Sequence, residues 1–178
     1  MNLFSATLLT GILSIALGIT LIGVRDRGRA AIRRLPRSSA AAIICFGGGA
    51  LWFLYYVSQL GEADFGNIRH WLLLLFGTVA FMGFFVARDF LAIRGIAVLV
   101  LLSAHQLLSA AYMQEPLSRL WLVSYVYLWI VAALYFGTVP YRVRDLIDWL
   151  FARSARQIAL GGILTGYGLL LLIAALVY

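Results

Sequence analysis

The chain has 178 residues, 63% of them hydrophobic and only 12% charged, with a formal net charge of +7 and a mean hydropathy of +0.97. Soluble domains are roughly half apolar and about a quarter charged, so this composition excludes an ordinary soluble globule. A disulfide framework is excluded too, because Cys45 is the single cysteine.

A helix needs about 20 mostly apolar residues to cross a bilayer. Six runs meet that length, at about 3–24, 39–60, 70–87, 90–113, 119–138 and 158–177. The expected fold is therefore all-α: a polytopic transmembrane bundle of about six spans in three hairpins, forming a single integral membrane domain over residues 1–178.

Span 1 has no basic residue before it, whereas a cleaved secretory signal carries positive charge ahead of a shorter apolar core. It reads as a retained anchor. Thr7 with Gly11, and Ser14 with Gly18, are small residues four apart. Such spacing lets helix backbones approach closely in a membrane. Span 2 repeats the feature in Ala41, Cys45 and Gly49, beside the run Gly47, Gly48, Gly49. Cys45 is expected to act there as a small apolar residue. Span 6 adds Gly162 and Gly166, flanked by Gly161 and Gly168. Spans 1, 2 and 6 are thus expected to make the tight inner contacts.

The stretch from His70 to Met113 is too long for one crossing. Its 44 residues would give a helix about 66 Å long, against a hydrocarbon core of about 30 Å. A turn is expected at Arg88 and Asp89. Arg94 then lies about one turn into span 4, from where its guanidinium can snorkel back to the headgroups.

Span 4 also carries the main candidate site. At 100° per residue, Arg94, His105, Ser109 and Tyr112 fall within about 60° of each other, a polar stripe on an apolar helix. Ionisable residues at membrane depth read as functional by default. His70 opens span 3 at a depth matching that of His105, and Glu62, Asp64 and Glu115 lie on the same side. Imidazoles and carboxylates are metal ligands, but their spacing matches no ligand pattern. A haem between His70 and His105 is chemically reasonable and would require the two helices to splay. The favoured reading is a hydrogen-bonded His105 with His70 at the wet interface; a proton or quinone path through His105 is the other candidate.

Trp121, Tyr125, Trp129 and Tyr135 form an aromatic stripe along span 5. Packing or lipid contact is the default reading, and a flat apolar ligand such as a quinone is the alternative. Pro140 ends this span. The following RVRDLIDWLF alternates apolar and charged residues at helical spacing, which predicts an interfacial helix at about 141–153. At an offset of about 115, residues 24–54 resemble 139–169: Arg27 matches Arg142, Ile32 matches Ile147, Ser39 matches Ser154 and Gly47 matches Gly162. Parallel repeats of this kind occur in transporters.

Every basic residue is arginine. Twelve of the 14 fall on the side of the linkers after spans 1, 3 and 5; Arg69 and Arg119 fall on the other. The positive-inside rule makes the arginine-rich side cytoplasmic, with both termini outside. That side should attract anionic lipid. The expected location is a bacterial inner (plasma) membrane. There is no GxSxG, no HExxH and no phosphate-cradling glycine loop in a strand-to-helix setting, so neither an enzyme nor a nucleic-acid binder is expected. The functional reading is a non-catalytic accessory or scaffold subunit of a larger membrane complex. The alternatives are a small transporter or channel using the span 4 stripe, and a quinone- or haem-handling redox protein.

Overall fold

The computed structural model describes the chain except for Ala87 and Arg88; it also leaves the Ala63 side chain undescribed. Every regular element among the described residues is helical. Six helices are long and apolar enough to cross a membrane: Leu3–Gly23, Ser39–Ser58, Gly66–Val86, Leu91–Ala111, Arg119–Thr138 and Ser154–Ala175, numbered here spans 1 to 6. The fold is an all-α polytopic bundle. Two linker helices complete it, Asp26–Arg34 after span 1 and Tyr141–Phe151 after span 5. The second covers most of the interfacial helix expected at 141–153. Of the turn expected at Arg88 and Asp89, Arg88 lies outside the described residues. Asp89 and Phe90 are in a turn, with Phe90 at φ 60°.

The pattern of burial is that of a protein dissolved in lipid. The buried residues are largely small, such as Ala6, Ala92, Ala104, Thr7 and Ser14, while Leu13, Trp71, Phe81, Leu128 and Ile163 face outward. Lipid tails are as apolar as leucine, so no hydrophobic force draws the large side chains inward.

The chain divides into two compact units. Unit 1 comprises Met1–Arg33, Ser103–Ala132 and Arg144–Tyr178; unit 2 comprises Arg34–Leu102 and Ala133–Val143.

Unit 1 is built on an antiparallel pairing of spans 1 and 6. Gly11 faces Gly168, and two turns along, Gly18 faces Gly161. A Cβ on Gly11 would lie 3.0 Å from the Gly168 carbonyl oxygen, and one on Gly168 would lie 2.8 Å from the Gly11 oxygen. The Gly18 and Gly161 positions are tighter, at 2.6 and 2.8 Å from each other's carbonyl oxygen. No side chain fits there, and the glycine C–H groups point at the facing carbonyls, the arrangement of a weak Cα–H···O contact. Leu3, Ala6, Leu122, Tyr125, Val126 and Leu171 pack around this crossing.

The expectation of tight contacts in spans 1 and 6 is met: Gly11 and Gly18 of span 1 are the glycines expected, whereas in span 6 the contact falls on the flanking Gly161 and Gly168 rather than on Gly162 and Gly166. Gly162 and Gly166 have open space at their Cβ positions. Spacing alone does not say which side of a helix meets a neighbour, and the Gly161–Gly168 side does.

In unit 2, span 2 packs against spans 3 and 4. The Gly95 backbone of span 4 reaches span 2 at Cys45 and Phe46; a Cβ there would lie 2.6 Å from the Phe46 Cα. This approach falls within Ile43–Gly47, a π-helical turn that interrupts the α-helix of span 2. T-shaped pairs Phe46–Phe84 and Phe53–Phe76, with ring centroids 5.2 and 5.1 Å apart, brace span 2 against span 3.

Gly18→Val is expected to lower the unfolding midpoint in mild detergent, at a cost of about 1–3 kcal/mol from overpacking. Gly162→Val should stay within about 0.5 kcal/mol of the parent, as a substitution into open space does. Thermal unfolding followed by circular dichroism separates the two.

Candidate functional site

The residues singled out from the sequence are placed as follows. His105, Ser109 and Tyr112 are exposed on unit 1, and the Ser109 hydroxyl donates to the His105 backbone carbonyl at 2.8 Å. Arg94 belongs to unit 2 and is half-buried. His70, also of unit 2, is exposed, as are the carboxylate-bearing Glu62, Asp64 and Glu115. Among the described residues, no group of three or more His, Cys, Asp or Glu side chains is arranged to hold a metal ion. In the aromatic stripe of span 5, Tyr125 is buried, while Trp121, Trp129 and Tyr135 are at least one-third exposed.

The buried polar chemistry of unit 1 lies elsewhere, at two levels along the crossing of spans 1 and 6. At membrane depth the Ser14 hydroxyl donates across the interface to the Leu164 carbonyl at 2.8 Å. Its oxygen lies 2.7 Å from the Tyr125 hydroxyl. Because the serine proton is used on Leu164, the tyrosine is the donor of that second bond. The Tyr125 ring stacks on Tyr167 at 4.8 Å, and the Tyr167 hydroxyl donates to the Trp121 carbonyl at 3.0 Å. These bonds join spans 1, 5 and 6 with neutral groups only.

The second level is the arginine-rich end. The last carbonyls of a helix have no partner within it. At the end of span 1, Gln157 supplies one: its amide nitrogen donates to the Leu21 carbonyl at 2.6 Å and the Val24 carbonyl at 3.0 Å. Its amide oxygen accepts from Arg29 Nε at 3.0 Å. Gln157 is only 2% exposed, so both ends of a buried amide are satisfied. Arg29 also pairs with Asp26 at 3.4 Å and lies over the Phe151 ring at 5.9 Å. Arg33 meets Asp148 at 3.1 Å, linking the two linker helices. Arg156 stacks on Trp149 at 4.4 Å and donates to the Trp149 carbonyl at 2.8 Å.

Sequence reasoning did not single out Gln157, because it stood one residue outside the expected span 6. The available signal was a lone amide between an arginine-rich linker and an apolar run. Ser14 was read only as a small packing residue.

No protein-family model, curated protein or solved structure matches the chain. The functional reading therefore rests on its own residues.

Gln157→Leu should lower stability by about 1–3 kcal/mol, because it removes the side-chain donor to the Leu21 and Val24 carbonyls and the acceptor of Arg29. Gln157→Glu should not restore it, since a carboxylate keeps the acceptor for Arg29 yet places negative charge against two carbonyl oxygens. Thermal unfolding in detergent at neutral pH reads both.

Proposed function

We propose that the chain is a non-catalytic accessory or scaffold subunit of a larger membrane assembly. It would lie in a bacterial inner membrane, with the arginine-rich end in the cytoplasm and in contact with anionic lipid. One observation carries the reading. Span 3 crosses the membrane without burying any described residue, and Trp71, Leu74, Phe81, Met82 and Phe85 stand exposed along it. Its principal packing is along one neighbour, span 2. A helix with its backbone bonds satisfied is stable in lipid, and its outer face is available to helices of another protein through van der Waals packing. The neutral, side-chain-locked interior of unit 1 suits a structural role, because it holds three spans in fixed register through Ser14, Tyr125 and Tyr167.

The transport and redox readings make different demands. Transport through the span 4 stripe needs water at His105, Ser109 and Tyr112. Redox chemistry needs a bound quinone or haem at His70 or His105.

Extraction in a mild detergent followed by native mass measurement tests the proposal. The expected result is an assembly well above the 19.7 kDa of one chain, containing other polypeptides in fixed ratio. A bare monomer overturns the subunit reading. Visible absorbance of the same preparation, or extractable quinone, would transfer support to the redox reading.

A further inference from the structure

Unit 2 contains a crevice of about 270 Å³ between spans 2, 3 and 4. All eight residues lining it are apolar, among them Phe46, Ala50, Phe53, Phe76, Ala80 and Val98. Phe53 and Phe76 are each more than one-third exposed, so the crevice opens outward, onto the lipid for a chain in a bilayer. Its volume falls below the roughly 300–1,000 Å³ of clefts that enclose compact drug-sized ligands. It suits a length of hydrocarbon chain.

A charge lies one helical turn from the crevice lining, at Arg94 on span 4. Arg94 precedes Val98 by four residues, so the two share a face of span 4. Helical side chains lean towards their own N-terminus, which here is the arginine-rich end. This lean carries the Arg94 side chain from the level of Val98 towards the arginine-rich end. Arg94 begins only about 4.5 Å inside the first residue of the helix, Leu91. It takes part in none of the three ion pairs formed among the described residues. A guanidinium stays charged at any relevant pH and binds phosphate through two parallel N–H donors. The spot is held firmly, because Gly95 is locked against the backbone of span 2 and Val98 sits 3.1 Å from the Cβ position of Gly49. Arg37, over the Phe90 ring at 5.9 Å, adds a second cation next to the start of span 4.

We propose that this crevice binds one anionic phospholipid, with an acyl chain between spans 2, 3 and 4 and its phosphate on Arg94. This gives the general attraction of the arginine-rich face for anionic lipid a defined site. It stands apart from the subunit reading and holds whether the chain is alone or in an assembly.

The test uses the full chain, purified in mild detergent and stripped of lipid. Dioleoyl phosphatidylglycerol or dioleoyl phosphatidylcholine is added, and bound lipid is counted by native mass spectrometry. One phosphatidylglycerol should be retained per chain, at about fivefold preference over phosphatidylcholine, the scale of one arginine against an anionic headgroup. Arg94→Gln should abolish the preference. Ala50→Leu should reduce retention of both lipids by filling the crevice. Val79→Phe, at an exposed lining position, should do the same if Ala50→Leu unfolds the protein. Arg27→Gln, on the first linker helix, should leave the preference intact. Equal retention of the two lipids, or an unchanged preference in Arg94→Gln, overturns the proposal. So does an equal loss in Arg27→Gln, which would assign binding to the diffuse basic face.

Discussion

Spans 1 and 6 meet with nothing between their backbones, and that contact constrains the rest of unit 1. Within a bilayer, helices gain little by hiding apolar surface from lipid. What holds them is close packing, which requires small residues where axes cross. Two glycines on each helix, seven residues apart, meet their counterparts in antiparallel order. Seven residues make almost two full turns, so both glycines lie on one side of the helix and the approach persists over about 10 Å. The register leaves no freedom. With Gly11 on Gly168 and Gly18 on Gly161, Ser14 falls level with the Leu164 carbonyl and Gln157 falls at the end of span 1.

The same register explains why the arginine-rich end is ordered. A helix ending at a membrane surface must find partners for its last carbonyls. Gln157 provides them from span 6 and then serves as acceptor for Arg29 on the first linker helix. Arg29 in turn lies over Phe151 of the second linker helix. One buried amide thus connects the end of span 1 with both linkers. The neighbouring Arg33–Asp148 pair contributes far less to stability, since both side chains are at least half exposed and such pairs are worth about 0–1 kcal/mol. The buried neutral amide, rather than the visible ion pair, organises this end.

Much of the architecture was legible in the sequence, because a bilayer imposes length and polarity along the chain and those are local properties. Six runs, an amphipathic linker after span 5 and the need for a turn near Asp89 follow from run length and residue spacing. Packing was less legible, because it depends on which side of each helix faces inward. Gly162 with Gly166 and Gly161 with Gly168 are equally plausible on paper; only the second pair meets span 1. Likewise four aromatic residues line up along span 5, yet only Tyr125 is buried. The polar stripe of span 4 illustrates the same limit. Periodicity groups His105, Ser109 and Tyr112 on one side of a helix, and the structure places that side at the surface of unit 1.

The internal similarity extends to three helix ends around the linkers. Thr138 follows Gly23 by 115 residues, Tyr141 follows Asp26 by 115, and Ser154 follows Ser39 by 115. Three element boundaries therefore recur at the offset that aligns the sequences, including positions where the residues themselves differ. The packing around the two stretches differs. Gly161 and Phe46, which the offset aligns, each meet a facing backbone closely, the first at Gly18 and the second at Gly95. In one case the glycines are on both helices. In the other a single glycine of span 4 meets a π-helical turn, and a phenylalanine ring is left to pack outward against span 3.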